Sequence, residues 1–219
     1  MTPSPDTSQT ELAANDVPSG RLSIETHGLS KHFGQRKAVD GLTISIPAGT
    51  IAGFVGPNGA GKTTTIRLLL GLVRPSAGSA TILGQPLTHP ERYLPRVGAL
   101  IEAPAFYPSL SGRTNLEVLA HLGGHPRSRV GQLLELVELN DRGADPVRTY
   151  SQGMKQRLGV AMALLPDPDL LILDEPANGL DPLVSSRCAT CCGACASRAR
   201  PSFSVATCWE SWSKCRIGW

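Results

Sequence analysis

Apolar and polar side chains alternate through Leu22 to Gly28 and again through Gly41 to Ile46, and this period of two predicts strands. Thr50 to Val55 and Thr81 to Leu83 read as further strands, with a helix from Gly61 to Val73 between them. Val130, Leu133, Leu134 and Val137 then fall at the i, i+3, i+4, i+7 spacing of an amphipathic helix. Together with Thr114 to His121 and an alanine-rich stretch ending at Leu165, they predict a helical insert over about 108–165. Leu170 to Leu173 is an unbroken apolar run, as expected of a parallel strand covered on both faces.

The connection between the third strand and its helix carries the first chemistry. Gly56-Pro57-Asn58-Gly59-Ala60-Gly61-Lys62-Thr63-Thr64 is a phosphate-binding loop. A polyphosphate is held best by a ring of backbone N–H groups at a helix N-terminus, where unpaired donors and the helix dipole both favour an anion. Gly56, Gly59 and Gly61 let the loop wrap closely, Lys62 can reach the β and γ oxygens, and the Thr63 hydroxyl can ligate Mg²⁺. The competing reading is a glycine-rich turn that only closes a strand-to-helix connection.

The run from Leu170 ends in two acids, Asp174 and Glu175, followed by Pro176. Carboxylates at the C-terminal end of a parallel strand face the crevice where open α/β sheets bind ligands. Asp174 can therefore hold the metal while Glu175 polarises the attacking water. A pair of turn-capping acids is the alternative, since Pro176 and Asn178-Gly179 signal a turn.

Tyr150-Ser151-Gln152-Gly153-Met154-Lys155-Gln156-Arg157-Leu158 lies between these landmarks. With the phosphate loop, the Asp174-Glu175 strand and the turn Asn178-Gly179-Leu180-Asp181, the chain from about Leu22 to Pro182 resembles the ATP-binding subunits of ABC transporters. Val97 to Tyr107 gives it the character of bacitracin- and lantibiotic-resistance exporters. The resemblance implies an α/β fold: a P-loop NTPase core with a parallel sheet, an N-terminal antiparallel β subdomain and the helical insert, occupying residues 21–182. It implies ATP and Mg²⁺ as cofactors, Phe33 stacked on adenine, and Glu102 at the metal where the family usually has Gln. Ser151 and Gly153 would touch the γ-phosphate held by a second subunit in a homodimer or heterodimer. The insert would contact a transmembrane permease, placing the chain peripherally on the cytoplasmic face of the plasma membrane. Gln152 departs from the family's usual Gly. A soluble ABC-type ATPase of translation or DNA maintenance is the alternative, but such proteins usually carry a second ATPase unit or a long coiled coil.

Composition narrows the partners. A net charge of +3 gives no argument for nucleic acid, and no apolar run reaches the ~18 residues of a membrane span. Met1 to Gly20, rich in Thr, Ser, Pro and Asp, reads as a disordered tail rather than a signal peptide.

After Pro182 the statistics change abruptly. All 6 cysteines and all 3 tryptophans lie between Cys188 and Trp219, and leucine vanishes after Leu183. Cys188, Cys191, Cys192 and Cys195 have metal-like spacing. A change of reading frame explains more, because GC-rich leucine codons (CTG) shifted by one base become TGC and TGG, for Cys and Trp. Back-translated and reread one base over, the segment from Arg200 yields Thr-Val-Leu-Leu-Ser-Ser-His, the family's missing strand and its switch histidine. The chain itself has no histidine after His125. The expectation is therefore an aberrant tail over 183–219, missing C-terminal strands, an exposed sheet edge beside Asp174, and a damaged or non-catalytic nucleotide-binding protein.

Overall fold

The computed structural model describes residues 21–101, 104–174 and 204–209. In chain order the elements are β1 (Leu22–Phe33), β2 (Arg36–Pro47), β3 (Ile51–Val55), α1 (Lys62–Leu69), β4 (Ala77–Ile82), β5 (Gln85–Pro86), β6 (Val97–Leu100), α2 (Gly112–Leu122), α3 (Ser128–Leu136), α4 (Gln152–Leu164), β7 (Leu170–Asp174) and β8 (Ser204–Trp209), with short 3-10 turns between some of them. They form an antiparallel sheet in the order β2-β1-β4-β5 and a parallel sheet in the order β3-β8-β7-β6.

The strands of the hairpin outrun the alternation that predicts them. Gly28 and Gly41 take positive φ values of 57° and 65°, and the register shifts beside them, so β1 and β2 continue through irregular steps that interrupt the period of two. The first helix is shorter than its pattern: Gly71, at φ 67°, turns the chain away just after the Leu70 cap. Sequence reading assigns no strand to β6, which is only four residues long. Its Gly98 lets α4 pack directly on it, since a Cβ there would stand 2.0 Å from the Ala163 carbonyl oxygen.

β8 corrects the expected loss of C-terminal strands. Ser204 to Trp209 enters the parallel sheet between β3 and β7, with Ala206 in register with both Ala52 and Ile172. Leucine is not needed for this: Val205, Thr207 and Trp209 are strand-forming residues, and the slot offers two rows of backbone groups that must be paired. The edge beside Asp174 is thus covered, by a strand from the segment that sequence reading expects to be an aberrant tail. The Cys188 to Cys195 cluster lies outside the described residues.

β7 is buried along its whole length and serves two cores. Leu170 and Ile172 join the cluster of Ile24, Ile46, Ile66, Leu69 and Ile82 beneath the antiparallel sheet, while Leu171 and Leu173 join the cluster built by the helical insert. Side chains alternate across a strand, so one apolar run supplies both. In the insert the predicted stripe of Val130, Leu133, Leu134 and Val137 is buried. α3 and α4 cap one another: Arg157 donates to the Val137 and Glu138 carbonyls past the end of α3, and Arg129 donates to the carbonyl of Leu164, the last residue of α4, and to the Asp167 carboxylate beyond it. Each cation meets the negative end of the other helix's dipole. Among the described residues no helix is long and apolar enough to cross a membrane.

Candidate functional site

The loop from Gly56 to Gly61 connects β3 to α1, and its shape depends on its glycines. Gly59 and Gly61 hold φ values of 84° and 89°, where a side chain is strained. At Gly61 there is also no room, because a Cβ would lie 2.1 Å from the carbonyl oxygen of Ala38 on β2. Gly61 caps α1 without any side-chain hydrogen bond, and the first turn of α1 contains no acid. The helix therefore presents unpaired N–H donors and the positive end of its dipole, which favour an anion.

An open cavity of about 140 Å³ lies over this helix end. Asn58, Gly59, Gly61, Lys62, Thr63 and Thr64 of the loop and α1 line it, together with Arg36 and Ala38 from β2. The lining contains two cations and no carboxylate. The Lys62 ammonium donates to the carbonyl oxygens of Gly56 (2.7 Å) and Pro57 (3.1 Å), so it folds back over its own loop. Ala60 closes the turn by donating its N–H to Pro57 O at 3.1 Å.

Asp174 ends β7 in register with Cys208 of β8, which in turn is level with Phe54 of β3. Two strand spacings thus separate the acid from the approach to the loop, about 10 Å of backbone. Its side chain is 6% exposed, and Oδ1 has no hydrogen-bond partner among the described residues. A buried, unsatisfied carboxylate oxygen is costly to a fold and is a ready ligand for a hard cation. With the Thr63 hydroxyl on the cavity wall, the donors fit Mg²⁺, which binds oxygen. Glu175 and Glu102, expected as the water-polarising base and a further metal ligand, lie outside the described residues.

Phe33 ends β1 with 52% of its surface exposed, under the Lys31 ammonium at 5.0 Å from the ring centroid. It is not an ordinary core phenylalanine. It stands opposite Arg36 across the β1–β2 turn, near the cavity wall but not in its lining. Ser151 is the N-cap of α4, its hydroxyl accepting from the Met154 N–H at 3.2 Å, and Gly153 lies in the first turn. Neither lines the phosphate-loop cavity. Sequence reading missed Arg36 and Ala38; the only signal for them is their place just after Phe33 on the same hairpin.

Comparison with known proteins places these features in a wider set. The model of the ABC transporter family matches residues 39–178. The bacitracin transport ATP-binding protein BcrA of Bacillus licheniformis is 48% identical over 162 residues, covering 73% of this chain and 53% of that protein. The lantibiotic transport ATP-binding protein SrtF of Streptococcus pyogenes is 40% identical over 160 residues, covering 73% of this chain and 69% of its own. The chain spans about half the length of most of the curated relatives it matches, 53% for BcrA. Among solved structures, cbiO1 of Clostridium perfringens, part of the ABC transporter complex cbiONQ, superposes with a TM-score of 0.76 at 22% identity, covering 87% of this chain and 79% of that one. The ADP conformation of MJ1267, an ATP-binding cassette of an ABC transporter, gives 0.74 at 19% identity, covering 86% and 81%.

Proposed function

The chain belongs to the ABC transporter family, related to its bacitracin- and lantibiotic-type export ATPases, and from that premise we propose that it binds and hydrolyses MgATP to energise a separate transmembrane permease. The observation that carries this is the uncapped N-terminus of α1 facing a carboxylate-free cavity with Lys62 on its wall. In this reading the backbone of Gly56, Pro57, Asn58, Gly59, Ala60 and Gly61 cradles the phosphates, with Lys62 and Thr64 beside them, and Phe33 stacks on adenine. Thr63 and Asp174 hold the metal, with Glu102 as a further ligand. Held by Thr63 and Asp174, Mg²⁺ would supply positive charge that offsets the charge of the phosphates. Glu175 orients and polarises the attacking water.

Ser151 and Gly153 serve the nucleotide of a second ATP-binding subunit, identical or not; their absence from this chain's own phosphate cavity supports that reading. The assembly sits peripherally on the cytoplasmic face of the plasma membrane, and the cargo is a peptide antibiotic or another drug, as the names of the relatives suggest. Titration calorimetry with MgATP, followed by phosphate release, tests the proposal. Micromolar binding that Lys62→Ala weakens at least tenfold is the expected result, and no binding by the intact chain would overturn it.

A second reading is favoured by one observation: beyond Pro182 the composition changes abruptly, with all 6 cysteines and all 3 tryptophans of the sequence there. If the composition change after Pro182 records a frame change, the chain binds MgATP without turning it over, since water positioning contributes much of phosphoryl-transfer catalysis. Binding without phosphate release selects this reading. Sequencing the codons for Gly179 to Arg187 tests its genetic basis.

A further inference from the structure

Arg36 opens β2, directly after the turn made by Gly34, and lines the phosphate-loop cavity together with Lys62. Among the described residues its guanidinium makes no hydrogen bond or ion pair. The one acid on β2, Asp40, is already held by the Lys37 ammonium at 2.9 Å, which keeps its carboxyl below the usual range. The strand is also fixed against the loop two residues farther on, where the Ala38 carbonyl fills the space a Gly61 side chain would need. Arg36 and Ala38 both line the cavity, and the register of the hairpin shifts between them and Val39. An uncommitted cation thus stands beside the loop on a strand whose backbone packs directly against Gly61.

We propose that Arg36 is a second phosphate-binding cation of this site, reaching from the antiparallel sheet to clamp the nucleotide's polyphosphate against the α1 N-terminus. The proposal rests on the nucleotide-binding reading above and adds to it a residue from a different sheet. Lysine and arginine divide the work by shape: Lys62 acts as a point charge, whereas the planar guanidinium can donate two parallel hydrogen bonds to phosphate oxygens. Contacts of this kind go to the phosphates, so they favour longer phosphate chains and weaken as salt rises.

The test titrates the full chain and its R36A, R36K and K62A variants with MgATP, MgADP and AMP at two salt concentrations. Exposed and unpartnered, Arg36 is dispensable for folding, and an unchanged melting curve for R36A verifies that. Expected is a roughly 5- to 20-fold weaker affinity of R36A for MgATP, a smaller loss for MgADP, none for AMP, and a shallower salt dependence. R36K recovers part of the loss. If the intact chain binds MgATP and R36A matches it in affinity and salt dependence, the Arg36 assignment is overturned while the nucleotide reading stands. Equal losses for MgATP and AMP would also overturn it, by moving the contact to the nucleoside or the fold. Failure of the intact chain to bind any nucleotide removes the reading beneath it.

Discussion

The two sheets are assembled by different logic. The antiparallel sheet takes β1, β2, β4 and β5 from a single stretch of residues 22–86, and its long hairpin is joined by a tight turn at Gly34. The parallel sheet gathers strands from residues 51 to 209, and β3, which feeds the phosphate loop, has β8 as its sole sheet neighbour among the described residues. The first is held by local pairings, and the second by one remote strand. Thr26 is an example of local pairing, because its hydroxyl bridges the hairpin, donating to Leu42 O at 2.9 Å and accepting from the Ile44 N–H at 3.0 Å. The sheet that carries the site is therefore the one more exposed to loss of a single segment.

The strongest way to break this contrast is Ala206→Pro. Proline in the centre of β8 removes a ladder donor from a strand paired on both sides. The melting temperature is expected to fall by roughly 6–12 °C, taking a cost of ~3 kcal/mol in a chain of this size. Hydrogen exchange should show protection lost first in Ile51 to Val55 and last in β1 and β2; a uniform loss would erase the distinction between the sheets. Gly61→Ala strikes where the sheets meet. It sets a methyl group against Ala38 O at a φ of 89°, and is expected to lower stability by ~1–3 kcal/mol and MgATP affinity more than tenfold by calorimetry.

Asp174→Asn sharpens the contrast by separating stability from function. Removing a buried charge with an unpartnered oxygen is expected to leave the melting temperature unchanged or raise it by a few degrees. The same change should abolish the Mg²⁺ dependence of nucleotide binding. The smallest effect falls at Tyr93, on the side of the antiparallel sheet's core. Its ring is 0% exposed, its hydroxyl has no partner among the described residues, and burial, with Glu91 nearby, pushes its pKa up to about 12. The folded state keeps a proton that the unfolded chain releases near pH 10, so stability is full below pH 10 and falls between about 10 and 12. Tyr93→Phe should remove that fall and be neutral or stabilising by up to ~1 kcal/mol at pH 7, as followed by urea melts.

Sequence revealed most where a short pattern has one physical solution. The left-handed turns at Gly59 and Gly61, the two-sided burial of Leu170 to Leu173 and the stripe from Val130 to Val137 all correspond to what the structure shows. Long-range choices were harder to read. Ser204 to Trp209 carries strand-forming residues, but nothing within those six positions says that the segment inserts between β3 and β7. Arg36 is invisible for the same reason: a lone arginine beside a turn gains meaning only when β2 is seen to touch Gly61. Arg157, read as part of a nucleotide-binding signature, turns out to hold the end of α3. A side chain in a motif can serve the scaffold that presents the motif.

The central position of β8 also sets a timetable for biosynthesis. The phosphate-loop strand and the acid strand leave the ribosome first, and the strand that joins them follows roughly 35 residues after Asp174. At ~5–20 residues per second that gap lasts about 2–7 seconds. During it the nascent chain has a folded hairpin and helices, but β3 lacks a sheet neighbour and β7 is paired only with β6, so chaperones, rather than the finished sheet, must shield the open edges of β3 and β7 from neighbouring chains.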